Sequence, residues 1–293
     1  MKPPVFDYIA ATSIDMALAA LAEVGEGGEA KIIAGGQSLV PMLNFRLLRP
    51  SILVDINGIA GLVAIEETAA DIHVGALTRH YQLETSPLIA RHFPVVSCAM
   101  THVAHLAIRN RGTIGGSLAH ADPAAELPML ALLLDASFRI ASASAERTVA
   151  ARNFFLDALT VDLGGADILT EIVLPKLPPQ TGWGFEEVAR RHGDFALAAV
   201  AATLTLSDGV IVEARIALTG VGPTPLRATD AEALLAGHAL DAGLTKRAIE
   251  AARAAIAPET DLHASADYRR HLAGVLTGRA LAAAWRHAKT SAA

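Results

Sequence analysis

The sequence predicts an α+β protein of two domains, on three observations. The chain has 293 residues, too long for one ordinary domain and too short for three full ones. Short β-rich segments mix with helical periodicity in the first half, whereas two long β-rich segments precede three helical segments in the second. Residues 175–182, with three prolines and a glycine, form the best candidate linker. We expect domains over residues 1–176 and 177–293.

The first sixty residues predict a small α+β lobe, ending near residue 57. Apolar residues at helical spacing behind a Thr12/Ser13 cap predict a helix over residues 13–24, ended by the glycines of residues 25–28. A strand over residues 31–34 then leads through a glycine-rich loop into a helix reaching Leu43. Residues 51–55 are apolar and β-rich, so they predict the next strand.

Residues 58–176 predict a second lobe of the same domain. Alternation of Ile65, Ile72 and Val74 with polar residues indicates a β-hairpin over residues 62–76. The pattern over residues 87–108 is helical. A continuous apolar run over residues 127–134 predicts a buried helix, with strands following at residues 137–141 and 168–174.

The second domain is predicted to be an antiparallel sheet backed by helices. Strands over residues 196–206 and 210–219 are joined at Ser207-Asp208-Gly209, a hairpin turn of the Asp-Gly kind. Three helical segments follow, near residues 229–236, 243–256 and 266–288.

Composition excludes several classes of protein. Apolar residues make up 52% of the chain and charged residues 18%, which is typical of a packed globular protein. The net charge of -6 argues against nucleic acid or an anionic membrane surface as a partner. No apolar stretch approaches the roughly 20 residues that span a bilayer. Pro3, Pro4 and Asp7 do not fit a signal peptide, so a cytoplasmic location is expected.

Cysteine usage limits the redox chemistry of this chain. Cys98 is the only cysteine. It therefore cannot form an intrachain disulfide, and one thiolate cannot hold an iron-sulfur cluster that needs four ligands. Any such cluster must lie on another chain.

Two glycine-rich loops with neighbouring hydroxyls are the main functional candidates. Residues 34–38 (Ala-Gly-Gly-Gln-Ser) leave a predicted strand, and residues 113–117 (Thr-Ile-Gly-Gly-Ser) repeat the chemistry. Glycine lets backbone N-H groups converge on a phosphate without a Cβ atom in the way. One such loop fits a plain strand-to-helix turn equally well, but two loops could together hold one pyrophosphate. The chain has no G-x-G-x-x-G and no G-x-x-x-x-G-K-[ST], which argues against the Rossmann and P-loop sites.

These segments carry a resemblance to a known family. Residues 34–41 (AGGQSLVP), Arg46-Leu47 with Pro50, and above all residues 109–128 (RNRGTIGGSLAHADPAAELP) resemble the FAD-binding medium subunit of the xanthine dehydrogenase and carbon monoxide dehydrogenase group. Residues 190–198 (RRHGDFALA) and Tyr268-Arg269-Arg270 resemble the C-terminal flavoprotein domain of that family. The resemblance covers nearly the whole chain.

The resemblance implies a two-lobed FAD-binding domain of the vanillyl-alcohol-oxidase (PCMH) type, followed by an α+β CO-dehydrogenase-flavoprotein-like domain. Both loops would hold the FAD pyrophosphate between the lobes, about 1–57 and 58–176. The implied cofactor-binding residues are Ala34, Gly35, Gly36, Gln37, Ser38, Leu39, Thr113, Ile114, Gly115, Gly116, Ser117, Asp122 and Phe195.

Two of these residues have alternative roles. Asp122 would contact the ribityl or ribose part of FAD, or would cap a helix opening at Pro123. Phe195 stands where many relatives have an aromatic residue, often tyrosine, over the flavin ring; it could equally be a core aromatic at the start of a strand. Family members more often have asparagine where Ser117 stands, and a hydroxyl can still donate a hydrogen bond.

The implied function is that of an oxidoreductase subunit. FAD on this chain would take electrons from a small subunit with [2Fe-2S] clusters, which drains a large subunit with the molybdenum cofactor, and would pass them to NAD, a quinone or another acceptor. The assembly could be a dimer of heterotrimers. We assign no catalytic acid, base or nucleophile, because the chain would position and tune the flavin. The alternatives are a stand-alone FAD-dependent oxidoreductase of the same fold and a flavin-free binding module.

Other polar groups are expected to have structural roles. His102 and His105 are spaced i, i+3 on the predicted helix over residues 87–108, and His120 follows. Zinc sites need three or four ligands with supporting contacts, and no cysteine or acidic residue except Asp122 lies at a matching spacing. We therefore expect no metal site, and a zinc hydrolase is the third alternative. Glu186-Glu187 and Arg190-Arg191 are expected to be solvated charges, which could lie at a subunit contact.

Overall fold

Three short parallel strands form the sheet of the first lobe. In the computed structural model, which describes residues 2–23 and 28–290, the strand order is β1-β3-β2. The elements are β1 (Asp7–Ala10), α1 (Ile14–Ala22), β2 (Ala30–Ile33), α2 (Leu39–Asn44) and β3 (Ile52–Asp55). The predicted β-loop-helix-β order is confirmed and β1 is added. Ser13 caps α1 by accepting a hydrogen bond from the Met16 N-H group, 3.2 Å away. The predicted end of this helix falls mostly on residues 24–27, outside the described residues.

The second lobe is a five-stranded antiparallel sheet with helices. The strand order is β4-β5-β10-β6-β7, after a 3-10 turn at Ala60–Leu62. Its elements are β4 (Ile65–Glu67), β5 (Asp71–Gly75), α3 (His80–Thr85), α4 (Pro87–His92), α5 (Pro94–Met100), α6 (Leu106–Arg109), α7 (Ile114–His120), α8 (Glu126–Leu133), β6 (Ser137–Ala141), β7 (Glu146–Ala150), α9 (Ala151–Phe154), β8 (Phe155–Asp157), β9 (Thr160–Val161) and β10 (Ile168–Pro175). The predicted hairpin, buried helix and two strands are confirmed.

The single helix predicted over residues 87–108 is wrong. The structure divides this segment into α4, α5 and α6. Phe93 leaves the helical region at φ -138, and Pro94 starts the next helix where its missing N-H group is tolerated. Ala104 then takes a left-handed conformation at φ 47, so the chain cannot continue as one helix.

The C-terminal region is a four-stranded antiparallel sheet followed by three helices. The strand order is β11-β12-β13-β14. The elements are β11 (Thr181–Ala189), β12 (Ala196–Ser207), β13 (Val210–Thr219), β14 (Leu226–Arg227), α10 (Thr229–Leu235), α11 (Ala242–Ala254) and α12 (Ala266–Thr290). The two predicted strands and three predicted helices are confirmed, and β11 and β14 are added. Pro175 ends β10 and Thr181 starts β11, so residues 176–180 alone connect the sheets. The domain boundary placed here stays a prediction.

Both faces of the C-terminal sheet are covered, which joins the two halves of the chain. Ala199 and Ala201 of β12 belong to the hydrophobic core of the second lobe, where α5 and α8 lie. Val200 and Ala202, which alternate with them, pack in a separate core with α10, α11 and α12. Because residues on a strand alternate between faces, β12 is buried on both sides.

None of the helices within residues 2–23 and 28–290 combines the length and the apolar character needed to cross a membrane.

Candidate cofactor-binding site

The first glycine loop connects the end of β2 to the start of α2. Gly36 lies at φ 73, a left-handed conformation that glycine adopts without steric cost. The Gln37 side chain folds back, and its Nε2 donates to the Gly35 carbonyl oxygen at 2.9 Å. The backbone of this loop is therefore held in one conformation by the left-handed Gly36 and the Gln37 hydrogen bond.

This loop presents a row of free backbone donors. Across the described residues, the N-H groups of Gly36, Gln37, Ser38 and Leu39 have no protein acceptor, and the first hydrogen bond of the turn starts at Val40. Successive N-H groups in a turn of this kind form a concave site for an anion. The first loop therefore offers the free backbone donors that a phosphate requires.

The second glycine loop has a different character, because its N-H groups already bind the protein. Ile114 N donates to the Thr78 carbonyl at 3.0 Å and Gly115 N to the Ala76 carbonyl at 2.9 Å. Thr113 caps α7, and its Oγ1 accepts from Gly116 N at 3.1 Å. This loop does not offer a row of free N-H groups. It offers the Ser117 hydroxyl and, at Gly116, a position with few neighbouring atoms.

The two loops touch through their backbones. A Cβ atom built on Gly35 would overlap the Arg111 carbonyl oxygen and lie 2.8 Å from Cα of Gly112. One built on Gly115 would lie 2.6 Å from Cβ of Ala76. These two glycines therefore permit close packing of the chain on itself. The sequence predicts a different role for them, the close approach of a phosphate.

A cavity of about 650 Å³ lies along both loops and between the two lobes. Its volume is within the range of ligand-binding clefts. A third segment, residues 159–169, forms a further part of the wall and was not predicted. Of the predicted site residues, those that line the cavity are Ala34, Gly35, Gly36, Gln37, Ser38, Leu39, Thr113, Gly115, Gly116 and Ser117.

Three predicted site residues do not line this cavity. Ile114 is buried in the core of the second lobe. Asp122 stabilises a turn, with its Oδ1 accepting from Ala124 N at 2.9 Å. Because α8 begins at Glu126, the alternative role of Asp122 as a cap for a helix opening at Pro123 is wrong. Phe195 is 65% exposed, so the core-aromatic alternative is wrong as well.

Side chains behind the loops hold them in place, and sequence reasoning missed these. Asn57 Nδ2 donates to the Ala34 carbonyl at 2.8 Å, just before the first glycine pair. Arg79 donates to the Arg111 carbonyl and, at 2.6 Å, to Asn57 Oδ1. His80 Nε2 lies 3.0 Å from the Thr113 carbonyl, and burial lowers the pKa of His80 to about 4. His80 is thus a neutral donor at neutral pH.

The histidines noted in the sequence do not form a metal site. His102 and His105 lie in and after a turn rather than on one helix, so the i, i+3 spacing has no helical meaning. His120 lines the cavity. Among the described residues, no group of three or more His, Cys, Asp and Glu side chains is placed to hold a metal ion.

The expectation that Glu187 is a solvated charge is wrong. Its side chain is 2% exposed, on the face of β11 that carries Phe185 towards the second lobe. Burial raises the pKa of Glu187 to about 8, with a further contribution from the nearby Glu126 carboxylate. Burial likewise raises the pKa of Glu126 to about 7. Two protonatable carboxyls therefore lie where the C-terminal sheet meets the second lobe.

Known proteins match the chain over nearly its whole length. Residues 4–177 match the family described as "FAD binding domain in molybdopterin dehydrogenase", and residues 183–284 match "CO dehydrogenase flavoprotein C-terminal domain". The 6-hydroxypseudooxynicotine dehydrogenase complex subunit alpha of Paenarthrobacter nicotinovorans is 43% identical, over 99% of this chain and 97% of the relative. The carbon monoxide dehydrogenase medium chain of Hydrogenophaga pseudoflava is 38% identical, over 97% and 99%.

Solved structures show the same architecture. A chain of carbon monoxide dehydrogenase from Hydrogenophaga pseudoflava superposes with a TM-score of 0.95 at 39% identity, covering 98% of this chain and 99% of that one. A chain of quinoline 2-oxidoreductase from Pseudomonas putida 86 gives a TM-score of 0.93 at 40% identity, with the same coverage. The predicted α+β fold with a two-lobed N-terminal domain is confirmed.

Proposed function

The chain belongs to the family of FAD-binding medium subunits of molybdenum-containing dehydrogenases, and from this we propose that it carries electrons from a partner subunit through FAD to an external acceptor. It is an FAD-binding oxidoreductase subunit. The relatives are named as a medium chain, a medium subunit or a subunit of a dehydrogenase complex, which supports partner subunits for this chain too.

The first loop fits the pyrophosphate of FAD. Its free N-H groups at Gly36, Gln37, Ser38 and Leu39 are successive and lead into the first turn of α2, and backbone donors in such a turn favour an anion. Hydrogen bonds to a charged group contribute about 1.5 to 3 kcal/mol each, so several of them reach the roughly 8 kcal/mol of micromolar binding. This row of donors is the observation on which the proposed cofactor site rests.

The second loop would close the site from the other lobe. Ser117 and Thr113 supply hydroxyls, and Gly116 leaves room beside them, since only Thr113 Oγ1 lies within 3 Å of a Cβ atom built there. Gly35, Gly115 and the buried Ile114 would keep the loops in contact. We place Asp122 near the ribityl or ribose part and the exposed Phe195 over one face of the ring.

FAD supplies the capacity to hold two electrons and to exchange them with both one-electron and two-electron partners. The chain binds and orients it, and no side chain is assigned as acid, base or nucleophile. The partners we propose are a small subunit with [2Fe-2S] clusters and a large subunit with the molybdenum cofactor, assembled as heterotrimers or dimers of them. With Cys98 as its one cysteine, this chain requires the clusters to be elsewhere. A cytoplasmic location and the acceptor, NAD or a quinone, stay predictions.

Purification of the natively expressed protein tests this proposal. We expect the chain to co-elute with two partners in size-exclusion chromatography, with flavin, iron and molybdenum in the same fraction. The isolated chain should carry FAD and turn over no organic substrate. A chain that runs alone and reduces its flavin directly with a substrate would establish the stand-alone oxidoreductase instead. A colourless chain without flavin absorbance would establish a flavin-free binding module.

A further inference from the structure

Arg79 and Asn57 connect the two glycine loops at the point where each loop starts. Asn57 follows β3 in the first lobe, and Arg79 precedes α3 in the second. Asn57 holds the carbonyl of Ala34 and Arg79 holds the carbonyl of Arg111, while the two side chains bind each other. Ala34 starts the first loop and Arg111 lies two residues before the second, so this chain of hydrogen bonds connects the two lobes beside both loops.

The orientation of the Asn57 amide is determined by its partners. Its Nδ2 lies 2.8 Å from the Ala34 carbonyl and 2.6 Å from Oδ1 of Asp55, and both of these atoms can only accept. Its Oδ1 lies 2.6 Å from an Arg79 nitrogen, which can only donate. Tyr8 in turn donates to the other oxygen of Asp55. Asn57 is therefore fixed from three sides.

Arg79 and His80 bind three successive carbonyls, of residues 111–113, where the chain enters the second loop. The Arg79 guanidinium donates to the carbonyl of Arg111. The backbone N-H group of His80 donates to the carbonyl of Gly112 at 3.0 Å, and the ring Nε2 of His80 donates to that of Thr113. A Cβ atom at Gly112 would lie 2.8 Å from the His80 ring, so the loop is pressed onto this segment. The second loop cannot move without breaking these contacts.

We propose that Arg79, acting with Asn57, is a positioning residue that sets the spacing of the two glycine loops and thereby the affinity for FAD. This inference rests on the proposed function. Arg79 does not line the cavity, unlike His80. One terminal nitrogen binds each lobe, and because the residue lies outside the cavity lining it acts through the loops rather than by contact with the phosphates. A planar guanidinium can serve two acceptors at fixed separation, which the single ammonium of lysine cannot do.

A double-mutant cycle on the FAD dissociation constant tests the inference. The variants are Arg79→Lys, Asn57→Ala and the pair, in the full chain, titrated with FAD and followed by flavin fluorescence. We expect each single variant to weaken FAD binding roughly 10- to 100-fold, the range for one lost charged hydrogen bond. The pair should be no weaker than the poorer single variant, because both break the same connection. Arg139→Lys, at an exposed pair with Glu171 in the second lobe, is the control and should stay near wild type.

Thermal unfolding of the FAD-free protein separates positioning from general stability. Variants that remain folded at the titration temperature yet bind FAD weakly support the inference. Lower stability with an unchanged dissociation constant would refute it, as would additive losses in the double variant. If Asn57→Ala does not fold, Arg79→Gln removes the guanidinium while leaving the Asn57 contacts to Ala34 and Asp55 in place, and it should weaken FAD binding with little change in unfolding temperature. A wild-type chain that binds no FAD would refute the proposed function, whereas equal binding by wild type and variants would refute only the role of Arg79.

Discussion

Gly35 lies directly against the carbonyl group of Arg111, so that the first glycine loop meets the backbone just before the second loop with no side chain between them. At Gly116 the surroundings are more open: a Cβ atom there would meet Thr113 Oγ1 at 2.7 Å and next only Cβ of Ala34 at 3.9 Å. The two glycines therefore contribute differently. One joins the loops, and the other keeps space beside a hydroxyl.

Gly35→Ala and Gly116→Ala should separate these contributions. Gly35→Ala forces the loops apart, so it should lose flavin and also about 1 to 3 kcal/mol of folding free energy, as for other overpacked sites. Gly116→Ala displaces the Thr113 hydroxyl that caps α7, but alanine favours the helix by up to about 1 kcal/mol, so flavin should fall with little net loss of stability. Flavin absorbance per chain and thermal unfolding measure both. Gly61→Ala, in open space, is the control. Unchanged stability in Gly35→Ala would show that the loops do not depend on this contact.

Phe195→Ala should alter the flavin more than the fold. The side chain is 65% exposed, so its removal should cost far less than the roughly 3 to 5 kcal/mol of a buried phenylalanine. If the ring covers the flavin, fluorescence or reduction potential shifts, and Phe195→Tyr keeps the wild-type values because only the ring is needed. Val212→Ala, at an exposed apolar residue of β13, should leave the flavin unchanged. Identical flavin properties in Phe195→Ala would remove this residue from the site.

Glu187→Gln should make folding less dependent on pH. Because the pKa of Glu187 in the folded protein is raised to about 8, its carboxyl stays protonated there at neutral pH. In the unfolded chain the same carboxyl ionises above its ordinary pKa near 4.5. Wild-type stability should therefore fall between about pH 5 and pH 8, at up to about 1.4 kcal/mol for each unit of pKa difference. The groups facing Glu187 are Glu126 and, 3.9 Å away, His102.

Denaturant unfolding across this pH window measures the effect. Glu187→Gln should be more stable than wild type near pH 8, and the difference should vanish near pH 5. Glu186→Gln, a half-buried neighbour, is the matched control. Parallel pH profiles for Glu187→Gln and wild type would mean that Glu187 ionises without cost in the fold.

Arg269→Ala should destabilise the C-terminal region, whereas Arg270→Ala should not. Arg269 is buried and donates to the carbonyls of Leu197 and Gly220 at 2.6 and 3.0 Å, and to Asp261 at 2.8 Å. Its loss leaves buried carbonyls without a donor, so we expect at least about 2 kcal/mol of lost stability. Arg270 pairs with the exposed Asp267 one helical turn away, a contact that contributes well under about 1 kcal/mol. Equal unfolding temperatures for the two variants would contradict this assignment.

The sequence predicts those parts of the site whose geometry is local. The first loop was predictable as a glycine turn between a strand and a helix, because such a turn involves only neighbouring residues. Asn57 and Arg79 were not predicted, because their acceptors lie 23 and 32 residues away and depend on how the lobes pack. Nothing in a single sequence distinguishes them from ordinary surface residues.

The errors in the fold have similar causes. The helix over residues 87–108 was predicted from periodicity alone, although Pro94 indicated a new helix start. Strand β11 was missed because Gly182 and Gly184 are poor strand formers. The structure explains them: Cβ atoms at either position would overlap the backbone of α12, at Ala284 and Ala280. Glu187 was misjudged because the alternation that buries it is visible only once the strand is known.

The two-sided burial of β12 has a consequence for how the chain denatures. Residues 177–293 expressed alone would leave Phe185, Ala199 and Ala201 in water, since the second lobe normally covers that face. A sheet with one bare apolar face tends to aggregate rather than persist as a fragment. Calorimetry of the intact chain should accordingly show one cooperative transition rather than two, and proteolysis at residues 176–180 should release insoluble pieces. The two segments matched by separate families would then be a single unit in thermodynamic terms.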